Sequence, residues 1–333
     1  MSIEKPISRR RDVLGVHSIH EFVFSVPDLK QAEHFYRSFG LDVRVETNCL
    51  ALFTYGHPHR WARVIHGDQK RLLWVTWGIY ADDQDAFNKK LNDLGVRRIA
   101  APVGANPDGM WFTGPDGLPQ QLLPSEKCSP DTKSPRIFPP EISSSGRAPH
   151  RSQVKQVRPN RLSHILVFTA DVDSSVQFYS EVLGLRLSDR SGSIIAFMHS
   201  QHGSDHHLIA MASSPGCGLH HSSWDVTSFD DVGLGTQQMS QAGYPEGWGV
   251  GRHVLGSNYF RYVRDPWGSY SEYSFDIDHI AADLEWPAGD YPPEDALYVW
   301  GSPPPDDFTK NYEIGSELQL SKAVAPSETP TIK

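Results

Sequence analysis

Three side chains in the second half of the chain have the types that hold a metal ion, and each falls on a segment with strand character. His164 sits near the start of His164-Ile-Leu-Val-Phe-Thr, His221 lies within Leu219-His-His-Ser-Ser-Trp-Asp-Val, and Glu272 ends Gly268-Ser-Tyr-Ser-Glu. Two imidazoles and one carboxylate contributed by separate strands form a facial ligand set. Such a set suits iron(II) and leaves coordination positions open for a substrate and O2. Taken singly, each residue is weak evidence, because a lone histidine on a strand is more often a hydrogen-bonded core residue. Strand alternation also directs only one of the neighbours His220 and His221 to the inner face.

The elements that must position these residues appear twice. His20-Glu-Phe-Val-Phe-Ser-Val leads to Phe35-Tyr36 and Gly40-Leu41, and His164-Ile-Leu-Val-Phe-Thr-Ala leads to Phe178-Tyr179 and Gly184-Leu185. Each copy reads as a strand of β-branched and aromatic residues, then an Asp-led helix with a glycine stop. The turns Gly114-Pro-Asp-Gly and Asp265-Pro-Trp-Gly, each followed by a strand, close the two copies. This predicts an α+β fold of two tandem modules. Matched through the repeat, His164 corresponds to His20, His221 to Trp74 and Glu272 to Gln121. An indole cannot ligate and a neutral amide brings no charge, so the first module is expected to hold no metal and His20 to be structural.

The predicted organisation is an N-terminal barrel domain over 1–124 without a metal site, a connector over 125–159, a metal-binding barrel domain over 160–280 and a tail over 281–333. The connector is rich in proline and serine and has no apolar periodicity, and the last residues of the tail are expected to fray. The aromatics Trp286 and Trp300 of the tail need burial, on the second barrel or on a neighbouring copy. A length of 333 residues supports two cores. A net charge of −9 argues against a nucleic-acid partner, and no apolar run is long enough to span a bilayer. Arg9-Arg10-Arg11 resembles the start of a twin-arginine leader, but no apolar segment follows, and three scattered cysteines give neither a disulfide framework nor a zinc pattern. The expectation is a cytoplasmic protein.

Further residues carry a resemblance. Gly251-Arg252-His253, Tyr262, Asp265-Pro266, Gly268 and Glu272 resemble the signature of type I extradiol ring-cleavage dioxygenases of the vicinal oxygen chelate superfamily. His221-Ser-Ser-Trp-Asp-Val is similar to that family's second-ligand segment, and Asp205-His206-His207 to its active-site histidine segment. The motifs occur in the family's order over most of 15–280. One departure is Arg261, where the signature has an apolar residue, with a changed pocket wall or subunit contact as the expected consequence.

The resemblance implies paired βαβββ units curling into two partly open barrels, with a metal in the second. It selects His221 over His220 and so implies the ligands His164, His221 and Glu272. The metal would be Fe(II) in preference to Mn(II). His207 would be the acid/base group, and His253 and Tyr262 would donate hydrogen bonds to the substrate, supported by Arg252. The activity implied is cleavage of a catechol beside its hydroxyls with insertion of both atoms of O2, in aromatic catabolism by a homo-oligomer. The alternatives are a glyoxalase-like isomerase on the same scaffold and a silent aromatic-binding protein.

Overall fold

The structure, a computed structural model, describes residues 8–136 and 148–314. The middle of the connector (137–147) and the end of the tail (315–333) lie outside the described residues.

The first module opens with the strand Ser18–Val26, whose apolar residues Phe22, Phe24 and Val26 face the helix Leu29–Phe39. That helix starts at Asp28, whose carboxylate accepts from the amides of Lys30 and Gln31. It stops at Gly40, which has φ 100° and lies so close to the connector that a Cβ there would collide with the Val157 carbonyl. The second module repeats the device with the strand Arg161–Thr169 and the helix Val172–Leu183, capped by Asp171 and ended by Gly184 at φ 70°.

Most strands form two mixed sheets, and Ser204–Asp205 pairs with His279–Ile280 in a small third one. In the first, the order across the sheet is Asp42–Glu46, Cys49–Phe53, Arg60–His66, Ser18–Val26, Arg71–Ile79, Pro119–Pro124 and Met110–Thr113. Its second unit carries only three strands, with the single bridge Arg98–Phe112 beside them. In the second sheet two complete βαβββ units supply the central strands Ile209–Ser213, Arg161–Thr169, Gly218–Asp225, Tyr270–Phe275, Tyr259–Arg264 and Gly247–His253. Leu185–Ser191 and Ile195–Ser200 continue it on one side, and two tail segments, Gly289–Asp290 and Tyr298–Trp300, form its edges. This sheet is strongly concave, because residues from seven of its strands line one cavity.

The helix faces of both modules share one core. Phe39 stacks on Tyr273 at 4.0 Å, the Tyr273 hydroxyl donates to the Phe39 carbonyl, and Gln120 donates to the Tyr179 hydroxyl from the opposite module. The described start of the connector runs along both halves. Cys128 and Ser129 donate their amides to Ser18, while Lys133 and Arg136 pair with Asp276.

The tail bolts the halves together. Glu313 accepts from the amides of Leu72 and Leu219, the edges of two facing strands, and pairs with buried Lys70 at 2.7 Å. Trp286 packs on His206 and donates to Asp189, whereas Trp300 stays 43% exposed on the edge strand. No helix among the described residues is long and apolar enough to cross a membrane.

Candidate metal centre

Three adjacent strands bring His164, His221 and Glu272 together. Ser223 on the central strand lies opposite His164 on one side and opposite Glu272 on the other. His221, two residues before Ser223, projects from the same face. The Nε2 atoms of His164 and His221 are 3.3 Å apart, and the Glu272 Oε2 is 3.4 and 3.6 Å from them. The centre of a triangle of that size lies about 2 Å from each corner, the length of a bond from a divalent ion to nitrogen or oxygen. Glu272 is fully buried; Asn258 donates to its Oε1 at 3.0 Å, while Oε2 has no hydrogen-bond partner. An unpartnered carboxylate oxygen beside two inward nitrogens is costly unless a cation joins them, so the residues fit a metal ion.

The other candidates surround this triangle. The His207 ring lies 3.9 Å from that of His164, and burial, then the neighbouring imidazoles, push its pKa well below the ordinary value. The strand holding Tyr262 pairs this residue directly with Glu272. Burial, then the nearby carboxylate, raise the Tyr262 phenol well above its usual range, so it stays an O–H donor. Its hydroxyl lies 2.9 Å from the Nε2 of His253, whose Nδ1 donates to the Leu297 carbonyl at 2.7 Å.

A cavity of about 520 Å³ opens above these groups. Its walls are mainly apolar, from Leu166, Phe168, Ile195 and Phe197 on the sheet and from Pro304 and Phe308 on the tail. Among the described residues, no lysine or arginine lines it.

Several expectations are corrected. His220 does not face away from the site. A β-bulge interrupts the pairing between Leu219 and His221, so both imidazoles line the cavity, their Nδ1 atoms 2.7 Å apart. Arg252 does not support the site, because its Nε donates to the Ser257 carbonyl and its guanidinium lies over Tyr259, outside the cavity. Arg261 is on the face opposite Tyr262 and bonds the carbonyls of Pro245 and Gly249, so it is not a pocket wall.

The counterpart of His164 is Glu21 rather than His20. Counting back from the helix-capping aspartates, Asp28 and Asp171, gives Glu21 and His164, and Glu21 lies opposite Thr76 as His164 lies opposite Ser223. Glu21 pairs with Arg60 at 2.6 Å and Arg63 at 3.1 Å, while His20 falls in a bulge beside His59. Trp74 and Gln121 occupy the other two positions, with Trp111 packed against Trp74 and the Gln121 carbonyl accepting from Thr76.

A family model, the Glyoxalase/Bleomycin resistance protein/Dioxygenase superfamily, matches residues 161–273, the span that contains all three triangle corners. The chain is 45% identical over 310 residues to "Metapyrocatechase 2" of Cupriavidus necator, covering 93% of this chain and 96% of that protein. The chain belongs to the extradiol ring-cleavage dioxygenases. It is also 32% identical to "2,2',3-trihydroxybiphenyl dioxygenase" of Sphingomonas paucimobilis, over 74% of this chain and 82% of that one. The Mn(II)-bound glyoxalase of Novosphingobium aromaticivorans shares the fold, with a TM-score of 0.69 at 24% identity, over 88% of this chain and 94% of the other.

Sequence reasoning missed several residues around the centre of this extradiol dioxygenase. Asn258 gave no signal, since a single amide in Gly256-Ser-Asn-Tyr reads as a turn. Phe308 of the tail packs on His220 and Tyr262. Its aromatic character announced burial but not the place.

Proposed function

We propose that the chain is an Fe(II)-dependent dioxygenase that opens a catechol ring beside its two hydroxyls and adds both atoms of O2, giving a muconic semialdehyde-type product in aromatic catabolism. The observation that carries this reading is the triangle of His164, His221 and Glu272, with an unpartnered Oε2, at the floor of an apolar cavity. Two imidazoles and a carboxylate on one face suit Fe(II), which would leave open positions for substrate and O2.

The chain's own residues do the rest. His207, buried and held neutral, accepts a proton from a catechol hydroxyl at its free ring nitrogen and returns it later in the cycle. Tyr262, an O–H donor beside Glu272, and His253 orient the substrate oxygens. Phe308, Leu166 and Phe197 exclude water and pack on the ring. Among the described residues the wall carries Asp306 and no cationic side chain, which favours an uncharged ring substituent over a carboxylate. Three free thiols fit a reducing, cytoplasmic setting, and the exposed Val299, Trp300 and Phe229 support a homo-oligomer.

The test loads the purified protein with Fe(II) without air, then adds O2 and a panel of catechols while the visible spectrum and O2 uptake are recorded. A yellow product with one O2 consumed per ring is the expected result. Bound metal with neither colour nor O2 uptake would overturn the reading in favour of an isomerase-like relative.

A further inference from the structure

Each imidazole attributed to the ligand set or to proton transfer follows, in the sequence, a residue whose side chain bonds its Nδ1. Ser163 precedes His164 with Oγ 3.2 Å from Nδ1, His220 precedes His221 with 2.7 Å between the two Nδ1 atoms, and His206 precedes His207 with the Nδ1 atoms 3.1 Å apart. All six side chains are buried.

Each preceding residue is in turn committed on its far side to a group that only accepts. Ser163 donates its hydroxyl proton to the Asp205 carboxylate at 2.6 Å, and Arg161 holds that carboxylate through both terminal guanidinium nitrogens. His220 donates from Nε2 to the Phe308 carbonyl at 2.7 Å. His206 donates from Nε2 to Asp189 at 2.7 Å, and Asp189 is itself fixed by Trp286 and the Gly289 amide.

With its proton spent outward, the near atom of each relay has only a lone pair to offer. The following imidazole must therefore carry its proton on Nδ1. We propose that Ser163, His206 and His220 are positioning residues, each holding the next imidazole in the Nδ1–H form with the Nε2 lone pair turned into the site. His253 reaches the same form without a relay, through its direct bond to the Leu297 carbonyl.

The consequence is visible at the centre. The Nε2 atoms of His164 and His221 lie 3.3 Å apart, and the Glu272 Oε2 lies 3.4 and 3.6 Å from them. Two lone pairs and a carboxylate converge on one point, ready for a cation before any arrives. His207 is left with a bare Nε2 suited to accept a proton. The relays enter from three regions of the chain: a two-residue strand, Ser204–Asp205, the tail carbonyl of Phe308, and Asp189 on the strand Leu185–Ser191.

This inference rests on the ligand set of the preceding section, and the experiment separates the two. Mn(II) affinity of the full chain is measured from the resonance of free Mn(II), with melting temperature as the check on folding. Glu272→Ala tests the ligand set, and loss of binding upholds it. Ser163→Ala and His220→Phe are expected to weaken Mn(II) binding about 10–100-fold. Ser163→Thr keeps a hydroxyl, and His220→Gln keeps a carbonyl toward His221 and an amide donor toward Phe308; both are expected to restore affinity. Unchanged affinity in the folded alanine and phenylalanine variants, or equal loss in the conservative ones, overturns the proposal. Nitrogen-15 histidine spectra of the unsubstituted, metal-free protein decide the matter even if a variant does not fold. Protons on Nδ1 of His164, His207 and His221 uphold it, and a proton on Nε2 of any of them overturns it for that relay.

Discussion

The two barrel interiors are built on the same strands and filled with opposite solutions. In the first, Glu21 is neutralised by Arg60 and Arg63, Trp74 packs on Trp111, and Gln121 is satisfied by Thr76. Every main charge has a partner and no ion is called for. In the second, the corresponding His164, His221 and Glu272 leave one carboxylate oxygen unmatched and a cavity above it. The scaffold therefore does not create a metal site. It creates three facing positions, and the residues placed there decide between a closed core and an open centre.

The most severe way to break this contrast is Glu272→Gln, which gives the second module the amide of the first. Metal content is expected to fall from about one per chain to background, with turnover lost alongside, as read by elemental analysis and O2 uptake. The converse change, Gln121→Glu, is expected to bind no metal, because Trp74 cannot ligate and Glu21 remains paired with arginines. Next in size, His207→Phe should retain metal and catechol binding while turnover drops about 10²–10⁴-fold, measured by stopped-flow absorbance. Trp74→Ala should cost about 3–5 kcal/mol in urea unfolding and leave the metal content of the folded protein unchanged.

A last effect treats the modules alike. Burial pushes His17, ahead of the first strand, and His199, in the second module, down to about 3. Both stay neutral in the folded chain but protonate near pH 6.5 once it unfolds. Their contribution is thus complete above about pH 6.5 and is lost as pH falls toward 3, by up to about 1.4 kcal/mol per pH unit for each. Urea melts at pH 7 and pH 5 should show the loss as one transition for both halves. Separate transitions would show that the shared core does not couple them.

The three facing positions were legible because the repeat sets His164, His221 and Glu272 against residues that cannot form the same set. The βαβββ units followed from strand character, capping aspartates and glycine stops. The register of the repeat was harder to read. Aligned on the glycine after each helix, His20 falls opposite His164, but the helices have 11 and 12 residues, so the strands align on their capping aspartates and Glu21 takes the place. The bulge at His220 escaped for a related reason, since alternation assumes an unbroken ladder. Asn258 and the tail wall depend on contacts between distant segments, which no local pattern encodes.

Glu313 also sets an order of events during synthesis. Chains emerge from the ribosome N-terminus first, at about 5–20 residues per second, so both barrels are exposed before the tail follows. Until Glu313 reaches Lys70, Leu72 and Leu219, the two strand edges lack their shared clasp, and until Phe308 arrives the cavity lacks a wall and His220 its acceptor. The cavity is thereby closed only after residues 308–313 have been made, and a nascent chain cannot acquire a finished cavity while its second half is still being made.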